Sequence, residues 1–113
     1  MRQAELFLKA YIQTEARVND LAYEIQKAKS PELIKALSEE ETRLEEMLTK
    51  IEDAVKRLDD VRLRRVLWLR YVGIIVNGKR YRLTQWQIAQ EMNYSREWVQ
   101  KAQAKALEML VIE

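Results

Sequence analysis

Hydrophobic side chains recur at alternating steps of four and three residues along the first part of the chain. The series is Phe7, Tyr11, Thr14, Val18, Leu21, Ile25 and Ala28. This spacing predicts one long helix with a heptad seam. A second series follows, made of Leu37, Leu44, Leu48, Ile51, Val55 and Leu58. Because the connection is short, we expect the second helix to run back along the first as a coiled-coil hairpin.

Two serines are candidates for the start of the second helix. Ser30 precedes Pro31, and a serine followed by proline is a typical N-cap and first helical position. Ser38 begins the stretch "SEEE", which matches a capping box and predicts a helix that restarts there. The carboxylates of this helix fall mostly off the apolar seam, which favours a solvated outer face over a metal or acid–base site.

The pattern changes at "LDDV", where Asp59 and Asp60 are candidate N-caps of a third helix. The apolar spacing of that helix predicts four buried side chains, Leu63, Val66, Leu67 and Tyr71. Asn77-Gly78 then predicts a tight hairpin turn within a loop or small wing. The basic residues that follow the turn, Lys79, Arg80 and Arg82, either lie along a phosphate backbone or only make the loop soluble.

Two further helices are predicted near the C-terminus, and their junction has the features of a helix-turn-helix. Thr84 caps a short helix from Gln85 to Met92, Asn93 suits the left-handed turn, and Ser95 caps the last helix. Two helices that cross closely need a small residue at the contact, which Ala89 supplies. Apolar or small residues occupy the other inward positions, namely Ile88, Met92, Tyr94, Val99 and Ala102. We therefore favour a DNA-binding pair over two ordinary core helices.

Side chains that suit base edges and phosphates occupy the outward positions of the last helix. They are Ser95, Arg96, Glu97, Gln100, Lys101 and Ala104. Arginine and lysine bond to guanine, glutamine to adenine and glutamate to cytosine. The small Ala104 leaves room for a close approach to the groove. These observations predict a recognition helix over residues 95–110.

Charge and composition narrow the classes of function. Residues 1–60 hold ten Lys/Arg and fourteen Asp/Glu, a net −4, whereas residues 61–113 hold ten and four, a net +6. A polyanionic partner is therefore expected at the C-terminal half. Cysteine and histidine are absent, which excludes disulfides, thiolate or imidazole metal sites and histidine-based catalysis. We expect no enzyme activity, cofactor or small-molecule substrate, and a cytoplasmic protein with no membrane span and no targeting peptide.

The segment "RRVLWLRYVGI…LTQWQIAQEMNYSREWVQKAQAKALEML" resembles region 4 of bacterial sigma-70-type factors. The resemblance covers about residues 61–110 and is most specific from Ser95 to Leu107. With a coiled-coil segment in front, the chain is similar to small phage and prophage transcription regulators of Gram-positive bacteria, of the ArpU and RinA kind. The resemblance implies a DNA-binding regulator rather than a complete sigma factor.

The resemblance also implies which residues meet DNA. The base- and backbone-contacting positions of the family fall on Arg96, Glu97, Gln100 and Lys101. Thr84 and Gln85 fall at the preceding helix start, where free N–H groups can hold a phosphate. Lys105 falls where the family meets protein partners or the DNA backbone. Trp98 departs from the family, which usually has a basic residue there, and we favour a packing role for it.

The sequence thus predicts an all-α protein with a dimerising hairpin at residues 1–58 and a DNA-binding head at residues 59–113. The main hypothesis is a dimeric transcription regulator that binds double-stranded DNA with Arg96 and Gln100 on bases and Lys101, Arg80, Arg82 and Thr84 on phosphates. One alternative is a small terminase-like phage packaging protein that forms a large ring. Another is an interaction module that binds RNA polymerase or another regulator and has lost DNA binding.

Overall fold

The computed structural model describes residues 2–112, and within them the chain is predominantly helical, as predicted. The helices are α1 (Arg2–Lys27), α2 (Pro31–Lys56), α3 (Val61–Leu67), α4 (Gln85–Met92) and α5 (Arg96–Met109). A π-helical turn, Trp68–Val72, continues α3. A two-stranded antiparallel sheet, β1 (Ile74–Val76) and β2 (Lys79–Tyr81), lies between that turn and α4.

The two long helices lie side by side and run in opposite directions. Tyr11 donates a hydrogen bond to Glu52, and Arg17 donates to Glu40 through Nε at 3.1 Å. Residues later in α1 thus pair with residues earlier in α2, which shows that the two helices are antiparallel.

Helix α2 begins after Ser30, whose hydroxyl accepts a hydrogen bond from the N–H of Leu33. It continues through Ser38 without a break, and the carbonyl of Ser38 accepts a hydrogen bond from the hydroxyl of Thr42. The predicted restart at Ser38 is therefore wrong. A serine cap needs an extended backbone, and the surrounding helical contacts hold Ser38 in the helix interior.

A single hydrophobic core joins the first half of α1, the second half of α2, α3 with its π-helical turn, α4 and α5. Its fully buried side chains include Leu8, Ile51, Val55, Val66, Leu67, Val72, Ile88, Val99 and Ala106. Burying one such aliphatic side chain stabilises a fold by about 1.5–3 kcal/mol. The segments 1–58 and 59–113 are thus joined through a shared core in this structure.

Of the two candidate caps of α3, Asp60 is the one used. Its carboxylate accepts hydrogen bonds from the N–H groups of Arg62 and Leu63, at 2.9 and 3.4 Å. These bonds lower the pKa of Asp60 below its ordinary value because they favour the charged carboxylate. All four side chains predicted to be buried in this region are buried, including Tyr71 in the π-helical turn.

The two strands form a small wing whose turn is Asn77-Gly78. Both turn residues have positive φ, 53° and 79°, the combination typical of the tight turn predicted from this dipeptide. Gly73 enters the wing at φ +92°, and a Cβ built there would lie 2.3 Å from the carbonyl oxygen of Tyr81. Only glycine fits where the chain passes so close to its own backbone.

Candidate nucleic-acid interface

Helices α4 and α5 meet through a three-residue turn, and a side chain caps the N-terminus of each helix. Thr84 and Gln87 form a reciprocal capping box at the start of α4. Asn93 adopts the left-handed conformation, with φ 61° and ψ 43°, and the N–H of Tyr94 donates to the carbonyl of Ala89 at 3.0 Å. Ser95 caps α5 by accepting a hydrogen bond from the N–H of Trp98. The local backbone therefore has the conformation that these residue types favour.

The two faces of α5 differ sharply in chemistry. Its buried face contains only apolar side chains, Val99, Ala102, Ala106 and Leu107, packed toward α3 and α4. Its exposed side chains are Arg96, Glu97, Gln100, Lys101, Ala104, Lys105, Glu108 and Met109. From Arg96 to Lys105 the exposed surface is polar and net basic, with the small Ala104 among its members.

Arg96 is held over an aromatic ring at the start of this surface. Its guanidinium carbon lies 5.2 Å from the ring centroid of Trp86, which is 62% exposed. Trp86 occurs in the first turn of α4, before its buried residues Ile88 and Ala89, and its ring covers Arg96 instead of the core.

A shallow groove of about 600 Å³ runs along the α4–α5 junction. Its lining residues are Trp86, Ala89, Gln90, Asn93, Tyr94, Ser95, Arg96 and Glu97. Most of these residues are exposed, so the groove is an open surface rather than a pocket for a small molecule.

Trp98 is partly buried and packs against the core, as favoured from the sequence. Its ring stacks on Tyr94 with centroids 4.0 Å apart and planes inclined by 14°. Tyr94 was predicted to fill the corner between the helices, but it is 38% exposed and lies on Trp98 instead. Arg62 of α3 lies on Trp98, 5.7 Å from the ring centroid. Its interaction with Tyr94 raises the pKa of Arg62 above its ordinary value.

The predicted phosphate-binding residues at the start of α4 already have partners in the protein. The N–H of Thr84 donates to the side-chain oxygen of Gln87, whose own N–H donates to the Thr84 hydroxyl. The Gln85 amide donates to Gln103 at 2.9 Å, and Gln103 donates to the hydroxyl of Tyr71 at 3.0 Å. This chain of bonds fixes the first turn of α4 against α5 and the π-helical turn.

Arg80 and Arg82 lie apart from the surface of α5, against α1. Both form ion pairs with Glu15, and the side chains of all three are about one-fifth exposed, at 19–22%. Arg80 also donates to the carbonyl of Val72 at 3.3 Å, and Arg82 to that of Tyr71 at 2.8 Å. Their predicted role on phosphates stays a prediction, because in this structure both guanidinium groups have partners within the protein.

Among the predicted site residues, Ser95, Arg96, Glu97, Gln100, Lys101 and Lys105 belong to α5 or its cap, with Thr84 and Gln85 at the start of α4. Two contacts were not predicted from the sequence: that of Arg62 with the ring of Trp98, and that of Arg96 with the ring of Trp86. Neither had a local signal, because each contact joins different helices.

Among the described residues, no group of three or more Asp or Glu side chains is placed to hold a metal ion. Within residues 2–112, no helix is long and apolar enough to cross a membrane. No protein-family model, curated protein or solved structure matches this chain.

Proposed function

We propose that the protein is a sequence-specific transcription regulator of the phage or prophage type, which binds double-stranded DNA through a helix-turn-helix formed by α4 and α5. The observation that carries the proposal is the division of α5 into one apolar buried face and one exposed face of base-compatible side chains. The major groove of B-DNA admits an α-helix, and N-terminal residues of a recognition helix contact base edges.

The exposed polar residues from Ser95 to Lys105 have roles that match their chemistry. Arg96 and Gln100 contact base edges, where arginine bonds to guanine and glutamine to adenine. Lys101 and Lys105 contact phosphates, as does the region around the Ser95 cap at the start of the helix. The carboxylate of Glu97 repels nearby phosphates and can accept a hydrogen bond from a cytosine amino group. The side chains of these residues are exposed, so binding requires no opening of the core.

Dimerisation through α1 and α2 completes the proposal. Toward the end of the hairpin outside the core, the seam residues Val18, Ile25, Leu37 and Leu44 are only half-buried. A shallow groove of about 440 Å³ at the same end is lined in part by Tyr23, Ala28, Leu33 and Leu37. A second copy packed here as a helical bundle would cover this apolar surface, and a dimer binds two half-sites related by two-fold symmetry. The proposal places the protein in the cytoplasm, with RNA polymerase as a further candidate partner.

Selection from a random duplex pool at physiological salt tests the proposal. The wild-type protein is incubated with the pool, and the retained DNA is sequenced. We expect enrichment of an inverted repeat whose half-sites are one or more helical turns apart. Retention without a common motif would favour a packaging protein. Absence of retention, together with binding to RNA polymerase, would favour an interaction module.

A further inference from the structure

Trp86 is an exposed aromatic residue whose position is unusually well fixed. The capping box of Thr84 and Gln87 sets the backbone on both sides of it. The hydrogen bonds from Gln85 to Gln103, and from Gln103 to Tyr71, tie the same turn to α5 and the π-helical turn. The indole ring therefore projects from a rigid turn although it is 62% exposed.

The ring of Trp86 lies under the guanidinium of Arg96. Arg96 is 5.2 Å from the ring centroid, within the range of a cation–π contact. Arginine can stack its guanidinium plane on an aromatic face. The N–H groups of arginine point outward in that plane, and no hydrogen bond from Arg96 to a protein acceptor occurs among residues 2–112.

We infer that Trp86 is a positioning residue for Arg96 and thereby helps to determine which base the protein selects. This inference rests on the proposed function. An arginine on a flexible chain loses rotamer freedom when it forms the two parallel hydrogen bonds to guanine O6 and N7. A ring that already restricts the Arg96 side chain reduces this loss of rotamer entropy. The resulting gain in affinity is expected only at a site where Arg96 bonds to its guanine.

Trp86 could strengthen DNA binding in two ways, by adding contact area or by orienting Arg96. A tryptophan that only adds contact area would strengthen binding to any duplex. A tryptophan that orients Arg96 strengthens binding to the selected site and has no effect once Arg96 is removed. The size expected for an exposed cation–π contact is about two- to fivefold in affinity.

A double-mutant cycle between Trp86 and Arg96 tests this difference. The affinities of wild type, Trp86→Ala, Arg96→Ala and the double variant are measured on the selected duplex. Repeating the selection with Arg96→Ala identifies the base pair that Arg96 reads, because the preference at that pair disappears. A second duplex, in which this base pair is replaced, is measured alongside the selected one. We expect Trp86→Ala to weaken the selected duplex two- to fivefold, to leave the second duplex unchanged and to have no further effect in the Arg96→Ala background.

Two controls make the result specific. Trp86→Phe keeps an aromatic face and should restore most of the affinity and the base preference. Leu6→Ala removes an apolar side chain that is equally exposed, at 62%, near the start of α1 and away from the projecting end of the hairpin. It should leave affinity unchanged while light scattering shows an unchanged mass. Circular dichroism of each variant reports whether it is folded.

A measurement on the wild-type protein keeps the inference falsifiable if Trp86→Ala does not fold. The indole ring current should shift the side-chain proton resonances of Arg96 upfield in the free protein, and unshifted resonances would overturn the inference. Equal losses on both duplexes, or the same loss with and without Arg96, would overturn it too. The proposed function fails in a different way, when the wild-type protein itself enriches no sequence.

Discussion

At the scale of single residues, a cluster of charges and one aromatic ring attaches the wing to the hairpin. Glu15 of α1 pairs with Arg80 and Arg82, and both guanidinium groups lie within 6 Å of the Tyr11 ring centroid, at 5.3 and 5.8 Å. Burial, and then the hydrogen bond that Tyr11 donates to Glu52, raises the pKa of Tyr11 above its ordinary value. This cluster joins α1, α2 and β2.

Replacing Glu15 by Gln should destabilise the protein more than the same change at an exposed ion pair. The substitution leaves two largely covered arginines without a compensating charge, which we expect to lower the free energy of unfolding by about 1–3 kcal/mol. Glu40→Gln is the matched control, because Glu40 pairs with Arg17 where both side chains are more exposed, at 35% and 42%. Its expected cost is below about 1 kcal/mol. Urea unfolding measures both, and equal costs would show that the Glu15 cluster contributes no more than a surface pair.

At the scale of elements, the positions of the wing and of α5 depend on short turns with positive φ. Asn93 supplies this conformation between α4 and α5, and Gly73 and Gly78 supply it at the entry and tip of the wing. A residue with a Cβ adopts a positive φ at a cost of roughly 1–2 kcal/mol, which asparagine reduces by local hydrogen bonding. These turns therefore set the direction in which each following element leaves.

The two wing glycines should respond differently to the same substitution. At Gly78 a Cβ would meet no atom within 4 Å, so Gly78→Ala should cost only the backbone strain of about 1–2 kcal/mol. At Gly73 the Cβ would also collide with the Tyr81 carbonyl, which we expect to add about 1–3 kcal/mol. Thermal unfolding of the two variants compares them. A larger loss of stability in Gly78→Ala than in Gly73→Ala would contradict the close approach of Gly73 to the Tyr81 carbonyl.

The elements predicted correctly are those with strong local signals. Ser30, Thr84 and Ser95 are caps, and Asn77-Gly78 is a turn, because each forms its bonds within a few residues. The pairing of Glu15 with Arg80 joins residues 65 positions apart, which no periodicity records. Ser38 had a capping signal that the helix on both sides overrode. The exposed ring of Trp86 was missed because an aromatic residue at a helical spacing is usually a core residue.

At the scale of the whole molecule, the shared core makes the hairpin and the α4–α5 pair parts of one body. The core extends from Ala4 of α1 to Leu110 after α5. The distal half of the hairpin projects beyond this core, and the molecule measures 54 × 32 × 20 Å. In the proposed dimer, the projecting ends pair and the α5 surfaces remain available for DNA.

Light scattering should therefore give the mass of two 13.5 kDa chains. Replacing Leu37 by Lys places a charge on the half-buried seam at the projecting end and should shift the mass toward one chain. Lys35→Glu, a change at an exposed position of the same helix, is the control and should leave the mass unchanged. A wild-type mass of one chain would contradict the proposed dimer, and one of eight or more chains would favour a packaging ring.

The central claim, that α5 reads base sequence, is tested most directly by the affinity of Arg96→Ala for selected and scrambled duplexes. We expect the selected duplex to lose about 1–3 kcal/mol of binding free energy while the scrambled duplex loses much less. Lys101→Ala is the control: it should weaken both duplexes alike and reduce the salt dependence by about one phosphate contact. If Arg96→Ala weakens the selected and scrambled duplexes equally, Arg96 only attracts phosphate, and the claim that α5 reads sequence through it is contradicted.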